Sequence, residues 1–379
     1  MFRFLAGWVL SSCIVVGAPD STSAERYLQQ AIALHQKGDF EGAIADYRSY
    51  LNLRPEAVDA RSNLGAALAH LGRYEEAIAE YKRALQKDLK NPSVLMNLGL
   101  AYYKVGRFSE AADEFAAARA VQPENGQMLM LLSDCRLRLG ENKEVIRLLT
   151  PSEKSHPDDL AVIYMLGTAL VRDQQPERGQ VLIDRILKNG DSAEARLLLG
   201  TTKMMVGDYA GARGDLQRAV ELNAQLPDVY SYYGLSLLQT GDTEGAAKAF
   251  RQELESNPND FTANLQLGGL ARAEQENDKA LGYLEQALRL RPGDPGARFQ
   301  IAAAHLALGK VDQARAELEQ LVAQNPDFSE AHVTLATVYY RLKRKADADR
   351  ERTIVQKLNA ERQATEPQAQ AAETGKKTR

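Results

Sequence analysis

Histidine and cysteine, which supply most nucleophilic, acid–base and metal-binding side chains, are scarce in this sequence. The 379 residues include five histidines and two cysteines. His35 and His70 could face one cleft as two ligands of a metal ion, but no third ligand accompanies them, so we interpret both as solvated surface histidines. Cys135 lies within a helical apolar pattern, which predicts a buried and inert thiol.

Catalytic motifs are also missing from the sequence. It contains no nucleophile elbow, P-loop, HExxH or CxxC motif. Acidic pairs such as Glu75-Glu76 and Asp158-Asp159 lie at predicted helix starts, where carboxylates favour the helix dipole. The sequence offers no candidate catalytic, metal-binding or cofactor-binding residue, and it predicts a protein that is not an enzyme and needs no cofactor.

Composition and charge are those of a soluble, mainly helical protein. Hydrophobic residues make up 44% of the chain and charged residues 26%, close to the average for globular proteins. Aromatic residues make up only 7%, while alanine and leucine are abundant, which favours helix over sheet. The formal net charge of −4 lacks the basic excess of a general nucleic-acid binder.

A Leu-Gly pair or its equivalent recurs along the chain in steps of 34 residues, with one step of 33. The pairs begin at Leu64, Leu98, Leu132, Leu166, Leu199, Tyr233, Leu267, Ile301 and Leu335. A glycine follows most pairs at a fixed distance, at Gly72, Gly106, Gly140, Gly207, Gly241 and Gly309. Such a period is the signature of a repeat protein.

Each repeat predicts a helical hairpin. Glycine ends the first helix because it adopts a left-handed conformation cheaply, and a proline near the end of most repeats stops the second helix. One hairpin cannot bury its apolar face alone, so each must pack against its neighbours.

The pattern resembles the tetratricopeptide repeat. The unit at 92–125 shows it well, through Leu98-Gly99, Tyr102, Gly106, Ala111, Phe115, Ala118 and Pro123. The resemblance implies an all-α fold, a right-handed superhelical solenoid of antiparallel helix pairs, over residues 24–362. The predicted units are 24–57, 58–91, 92–125, 126–159, 160–192, 193–226, 227–260, 261–294, 295–328 and 329–362.

The repeats are irregular at about residues 140–192. Pro151 falls within a predicted second helix and should shorten or kink it. Gln174 stands where the turn glycine is expected, and Gly179 where alanine is expected. We interpret these departures as ordinary repeat degeneracy, and the alternative is a hinge in this region.

The two ends of the chain lie outside the repeats. Arg3 and the uncharged residues 4–18 resemble a signal peptide over residues 1–18, with cleavage after Ala24 as the alternative. Residues 10–13 also resemble a lipobox, which would place a lipid on Cys13. We therefore expect export, to a bacterial periplasm or cell envelope. Residues 363–379 are polar without apolar periodicity and predict a disordered tail.

In tetratricopeptide repeat proteins, the first helices line a concave groove that binds an extended peptide or a partner helix. The resemblance places these residues in it: Asn63, Met96, Asn97, Leu100, Tyr103, Met130, Leu137, Tyr164, Val171, Leu197, Met204, Leu235 and Leu238. Methionine and tyrosine make such a surface apolar and adaptable. The alternative is that several of these residues complete the packing between repeats.

Two known binding modes of the family are poorly matched. The clamp for C-terminal carboxylates needs lysine and asparagine on three consecutive units. Leu28, Ile32 and Ser93 stand at the corresponding positions, and only Asn63 of that set is present. The asparagine ladder of the O-linked N-acetylglucosamine transferase repeats survives only as Asn63 and Asn97, which could still hold a peptide locally.

We therefore predict a non-catalytic scaffold or adaptor that binds a protein or peptide partner along the groove. The alternative is a structural or accessory subunit, including a lipoprotein, of a bacterial envelope assembly or secretion complex. No nucleic-acid partner is expected. Membrane contact is expected only if Cys13 carries a lipid or the signal stays uncleaved, and self-association of the chain is compatible with either function.

Overall fold

The computed structural model describes residues 22–188 and 190–376, with side chains described as far as Glu361. Within these residues the chain forms twenty α-helices and no strand. Short turns join successive helices within each compact unit into antiparallel hairpins, and the chain has the predicted all-α solenoid fold of antiparallel helix pairs. In the described residues, no helix is both long and apolar enough to span a bilayer.

The chain divides into two compact units, Met1–Asp242 and Thr243–Arg379. The first unit contains α1 (Thr22–Lys37), α2 (Phe40–Leu53), α3 (Val58–His70), α4 (Tyr74–Leu85), α5 (Pro92–Lys104), α6 (Phe108–Val121), α7 (Gly126–Arg138), α8 (Asn142–Ser155), α9 (Leu160–Arg172), α10 (Pro176–Leu187), α11 (Ala193–Met205), α12 (Tyr209–Leu222) and α13 (Val229–Gln239). The second unit contains α14 (Thr243–Ser256), α15 (Phe261–Ala273), α16 (Asn277–Leu290), α17 (Pro295–Ala307), α18 (Val311–Gln324), α19 (Ser329–Arg341) and α20 (Lys345–Lys376).

In the first unit, each odd-numbered helix from α1 to α11 packs against the even-numbered helix that follows it. Odd-numbered helices of neighbouring hairpins also touch, for example α7 with α9 and α9 with α11. The core contains one large side chain from most second helices, including the fully buried Tyr47, Tyr81, Phe115 and Leu149. The second unit follows the same plan, with Phe250, Leu284 and Leu318 fully buried.

At the glycine of the Leu-Gly pair, the two helices of a hairpin come close together. At Gly99, an added Cβ atom would lie 2.7 Å from Cε1 of Phe115. At Gly65, the same atom would lie 2.6 Å from Cε1 of Tyr81. The first helix therefore accommodates the large side chain of the second helix only because it lacks a side chain there.

The predicted turn glycines adopt the expected left-handed conformation. Gly72, for example, has a φ of 73°. In the irregular region Gln174 adopts the same conformation, with a φ of 58°, so the turn is kept without glycine. Pro151 lies inside α8, and α8 has fourteen residues, the same length as α2 and α6. The predicted shortening of this helix is therefore wrong.

The boundary between the compact units lies after Asp242, away from the region 140–192 where the sequence suggests a hinge. At the C-terminus, the helical backbone of α20 continues to Lys376. The disordered tail stays a prediction.

The predicted signal peptide and Cys13 lie outside the described residues, and both stay predictions. The alternative cleavage position, Ala24, lies in the first turn of α1, and its side chain is 1% exposed. Cleavage there would remove a packed turn, whereas cleavage after Ala18 would leave α1 whole.

An ion pair within the hairpin recurs at one position of the repeat. The fourth residue of a first helix bonds a carboxylate nineteen residues later, on the second helix. Arg61 pairs with Glu80 at 2.8 Å, and Arg196 with Asp215 at 2.7 Å. In the second unit, Nδ1 of His332 lies 2.5 Å from Glu351.

The same side chains often anchor the preceding turn. Arg61 donates a hydrogen bond of 2.7 Å to the carbonyl oxygen of Pro55. The Nε2 atom of His332 lies 3.0 Å from the carbonyl oxygen of Pro326. The residue thus joins both helices of its hairpin to the turn before them.

The third hairpin keeps only one partner of this pair. Its first helix has Leu95, while Glu114 occupies the carboxylate position and makes no hydrogen bond or ion pair with the described residues. Burial, with a smaller contribution from Asp113, raises the pKa of Glu114. In the next two hairpins both positions are apolar, as in Ile163 with Leu182.

We expect Glu114→Leu to raise the free energy of unfolding by about 1 kcal/mol at pH 7, because a poorly compensated charge is replaced by an apolar side chain. Since the folded pKa is raised, wild-type Glu114 costs stability above its unfolded pKa, and the gain should shrink as the pH falls towards 4. Urea unfolding at pH 7 and pH 4 measures both effects. The control is Glu80→Leu, which leaves Arg61 without its carboxylate and should lower stability by about 1–2 kcal/mol. A loss of stability at pH 7 in Glu114→Leu would contradict this explanation.

Candidate functional site

The structure separates the predicted groove residues into two groups. The buried ones are Asn63, Met96, Asn97, Leu100, Leu137, Val171 and Leu197. The half-buried ones are Tyr103, Met130, Tyr164, Met204, Leu235 and Leu238. Residues of the first group, such as Met96 and Leu197, belong to the hydrophobic core, so they pack between helices as the alternative interpretation predicts. A role of either group in binding stays a prediction.

Four of the predicted residues line one cavity of about 250 Å³ in the first unit. It lies between α5, α7, α9 and the turn that precedes α13. Tyr103, Met130, Leu137 and Tyr164 contribute to its walls, together with Met165. These side chains give the cavity a largely apolar and partly flexible lining.

Polar residues that the sequence analysis missed form the rest of the lining. In the first network, the hydroxyl group of Tyr103 donates a hydrogen bond of 2.6 Å to Oδ2 of Asp134. Nε of Arg138 donates to the same oxygen at 2.9 Å, and its guanidinium group lies 5.3 Å from the Tyr103 ring centre. Burial alone would lower the pKa of Arg138, but Asp134 and the other groups around it hold that pKa well above the ordinary value.

The second network is centred on Arg172. Its Nη2 atom donates a hydrogen bond of 2.7 Å to Oδ2 of Asp228, and its Nε atom donates one of 2.9 Å to the hydroxyl group of Tyr232. Burial opposes the charge, but the surrounding oxygen atoms raise the pKa of Arg172 above its ordinary value. Burial also raises the pKa of Tyr164, which keeps this phenol neutral. The two arginines and two aspartates of the cavity balance one another in charge.

Arg172 also lines a second, more open cavity of about 610 Å³. This one lies between α9, α11 and α13, and its walls include Val171, Met204 and Tyr232. Met205 and Val206 at its rim are 38% and 68% exposed. Arg172 is thus a cationic side chain that lines both cavities. Leu235 and Leu238 do not line either cavity.

Asp228 has an unusual backbone conformation. Its φ of 67° and ψ of −2° lie in the left-handed region, which costs a residue with a side chain roughly 1 kcal/mol or more. The left-handed residues Gln174, Gln275 and Lys343 occupy turns between the two helices of a hairpin, whereas Asp228 directly precedes a first helix. Sparsely populated conformations are concentrated at functional sites.

The polar residues of the cavity could have been found in part. Lys104, Arg138 and Arg172 follow one another at intervals of 34 residues, at the C-terminal ends of three successive first helices. The period itself therefore predicts a row of basic side chains on one face. No local pattern predicts that Asp228 meets an arginine 56 residues away.

Cys135 is completely buried, which confirms the predicted burial of this residue. Burial, followed by the charge of Asp134, raises the pKa of its thiol well above the ordinary value. A thiol that stays protonated and enclosed is a poor nucleophile.

The hairpin architecture defines a repeat protein of the helix-pair class. Models of the tetratricopeptide repeat match residues 96–144, 164–232 and 233–295, and another matches residues 271–332. A model described as TPR repeat matches residues 31–72 and 67–106. The chain belongs to the tetratricopeptide repeat family. Repeats of this family mediate protein–protein interactions, and a role as an interaction scaffold follows for this chain.

Similar solved structures include "Human IFIT1 dimer with PPP-AAAA", which is 16% identical, with 91% of this chain and 96% of that chain covered and a TM-score of 0.46. "Crystal structure of APC/C hetero-tetramer Cut9-Hcn1" is 12% identical, with 89% and 94% covered and a TM-score of 0.45. "MamA RS-1 ArsTM double mutant" is 20% identical, with 46% and 98% covered and a TM-score of 0.42. Likenesses this distant carry no argument about function.

Proposed function

We propose that the chain is a non-catalytic scaffold that holds an extended or helical segment of a protein partner on the first helices of its first unit. One apolar side chain of the partner enters the cavity between α5, α7 and α9. The observation that supports this proposal is the cavity itself, with aromatic and methionine walls around polar groups that already have partners.

The chemistry of the lining suits an apolar side chain. Tyr103, Asp134 and Arg138 satisfy one another through hydrogen bonds, so an apolar group can displace water without leaving a buried polar group unpaired. Enclosed pockets filled by one anchoring side chain provide most of the binding energy in many protein interfaces. Met130 and Met165 can adjust to more than one such side chain.

The experiment is to select peptides from a displayed random library against the full chain, and then to measure their affinity in solution by fluorescence anisotropy. We expect Met130→Glu, which places a charge in the apolar wall, and Tyr164→Ala, which removes part of that wall, each to weaken binding by about tenfold or more. Val181→Glu is the matched control, because Val181 lies on α10 and is 60% exposed. It should leave affinity unchanged.

All variants must first show the helical circular dichroism and melting temperature of the wild type. If the peptides bind the pocket variants as tightly as the wild type, the partner lies elsewhere on the chain. If no peptide binds at all, the proposal that the first unit is a peptide receptor fails.

A further inference from the structure

The carboxylate of Asp134 keeps one acceptor atom available at the wall of the cavity between α5, α7 and α9. The hydroxyl group of Tyr103 and Nε of Arg138 both donate to its Oδ2 atom, at 2.6 and 2.9 Å. Its Oδ1 atom makes no hydrogen bond or ion pair with the described residues. Asp134 lines the cavity, and its side chain is 21% exposed. Each carboxylate oxygen can accept hydrogen bonds, so the wall presents a charged acceptor that has no donor.

Hydrogen-bond donors elsewhere in the lining bond within the chain. Nη2 of Arg172 donates to Asp228, and the hydroxyl group of Thr168 donates to the carbonyl oxygen of Tyr164 at 2.9 Å. The hydroxyl group of Tyr164 makes no hydrogen bond with the described residues, but an ionised carboxylate is a stronger acceptor than a phenol. The lining therefore favours a guest that brings a donor for Asp134.

The cavity is large enough for a group of two fused rings. Its volume is about 250 Å³, whereas an apolar cavity of about 150 Å³ already takes up one benzene molecule. Tyr103 and Tyr164 contribute aromatic rings to its walls, and Met130 and Met165 contribute thioether groups. Both kinds of group make favourable contacts with an aromatic guest, in addition to the apolar area that the guest buries.

We propose that the anchoring side chain of the partner is a tryptophan, whose indole ring fills the cavity and whose N–H group donates a hydrogen bond to Oδ1 of Asp134. Indole is the two-ring group among the ordinary side chains, and its nitrogen donates but does not accept. This inference rests on the proposed function, since it names the chemistry of the same anchor.

Other side chains match the lining less well. Leucine and phenylalanine can leave the partly exposed Asp134 to water but bring no donor, so they lack one hydrogen bond. Tyrosine brings a donor but only one ring. Lysine or arginine would add a third cation beside Arg138 and Arg172, whose charges Asp134 and Asp228 already balance. The N–H group of indole supplies a donor without a charge.

Four pools of fluorescein-labelled octapeptides test this inference by fluorescence anisotropy with the full chain. Their flanking positions are randomised identically over non-aromatic residues, and one fixed central residue is tryptophan, benzothienylalanine, tyrosine or leucine. Benzothienylalanine keeps the size of the indole ring but has sulfur in place of the N–H group. We expect the tryptophan pool to bind about tenfold more tightly than the benzothienylalanine pool, the gain from one hydrogen bond to a charged acceptor, and more tightly than the other two pools.

Asp134→Asn is the decisive variant. The oxygen of the new amide should accept the hydrogen bonds from Tyr103 and Arg138, which turns its NH₂ group to the place of Oδ1. The indole N–H group would then meet a donor, so the preference for tryptophan over benzothienylalanine should disappear. Asp278→Asn is the matched control, because Asp278 is exposed on α16 in the second unit, and it should keep the preference.

Equal binding of the tryptophan and benzothienylalanine pools by the wild type would overturn the inference. So would a preference that survives in Asp134→Asn, tighter binding of the tyrosine or leucine pool, or an absence of binding by all four pools. If library-selected peptides still depend on Met130 and Tyr164 in any of these cases, the proposed function stands and only the indole anchor is wrong. Preserved circular dichroism in Asp134→Asn separates lost recognition from unfolding.

Discussion

Gly99→Ala is expected to lower the free energy of unfolding by about 1–2 kcal/mol, although alanine is the better helix former. In a helix, replacing glycine with alanine normally gains up to about 1 kcal/mol. Here the new Cβ atom would lie 2.7 Å from Cε1, 2.9 Å from Cδ1 and 3.0 Å from Cζ of Phe115. Phe115 is fully buried, so its ring cannot move aside without disturbing the core, and overpacking of this kind costs about 1–3 kcal/mol.

A double substitution tests whether this contact is the cause. The hairpin of α17 and α18 has Ala302 and Leu318 at the positions of Gly99 and Phe115, and both are completely buried. The pair of changes Gly99→Ala and Phe115→Leu should therefore cost at least about 1 kcal/mol less than the sum of the single changes. Urea unfolding gives the free energies, and hydrogen exchange in α5 and α6 shows whether the effect is local, since repeat arrays need not unfold as one unit.

Gly282→Ala provides the control for helix propensity. Gly282 lies in α16 and is exposed, and an added Cβ atom there would meet nothing within 4 Å. This variant should be as stable as the wild type or more stable by up to about 1 kcal/mol. Additive effects of the Gly99 and Phe115 substitutions would show that the close approach does not decide stability.

Much of the fold could be predicted from the sequence because its signals are local and repeated. Gly72 ends α3 in the left-handed conformation, and the 34-residue period places the same turn in the other hairpins. The continuation of α20 could not be predicted from apolar periodicity, which detects only helices with a buried face. Residues such as Ala360, Glu361 and Arg362 favour helix by intrinsic propensity without such a face.

The candidate site was harder to predict than the fold. The apolar residues chosen by phase include Leu100 and Leu197, which are 2% and 4% exposed, because neighbouring first helices pack against each other and bury them. Arg138 and Arg172 lie at the ends of their helices, where basic residues usually face solvent. Their charges are compensated by Asp134 and Asp228. The pair of Arg172 and Asp228 joins α9 to the start of α13, two repeats further along the chain.

His35 was also misjudged, and its environment leads to a pH effect. It is 5% exposed rather than a surface residue, with its ring centre 5.3 Å from that of Phe40 and 5.8 Å from that of His70. Its Nδ1 atom has no hydrogen-bond partner among the described residues. Burial, with a smaller effect of the nearby His70, lowers the pKa of His35 to about 4.

We expect acidification to destabilise the first hairpin through His35. The unfolded chain binds a proton at this residue near pH 6.5, whereas the folded chain does so only near pH 4. Between these values the unfolded state binds more protons, so stability falls as the pH falls, by about 2 kcal/mol between pH 7.5 and pH 5. The loss should level off below pH 4, where both states are protonated.

Urea unfolding of the full chain at pH 7.5, 6 and 5 measures this effect. Hydrogen exchange of the amides in α1 and α2, corrected for the intrinsic pH dependence of exchange, shows whether the loss of stability is local to the first hairpin. His35→Leu keeps an apolar side chain in the core and removes the titrating group, so its stability should vary less with pH than that of the wild type. His156→Gln is the control, because His156 is exposed and its replacement should leave the pH dependence unchanged. If His35→Leu loses stability on acidification as steeply as the wild type, the proton is taken up at another residue. The burial of neutral His35 would then not explain the sensitivity of the first hairpin to acid.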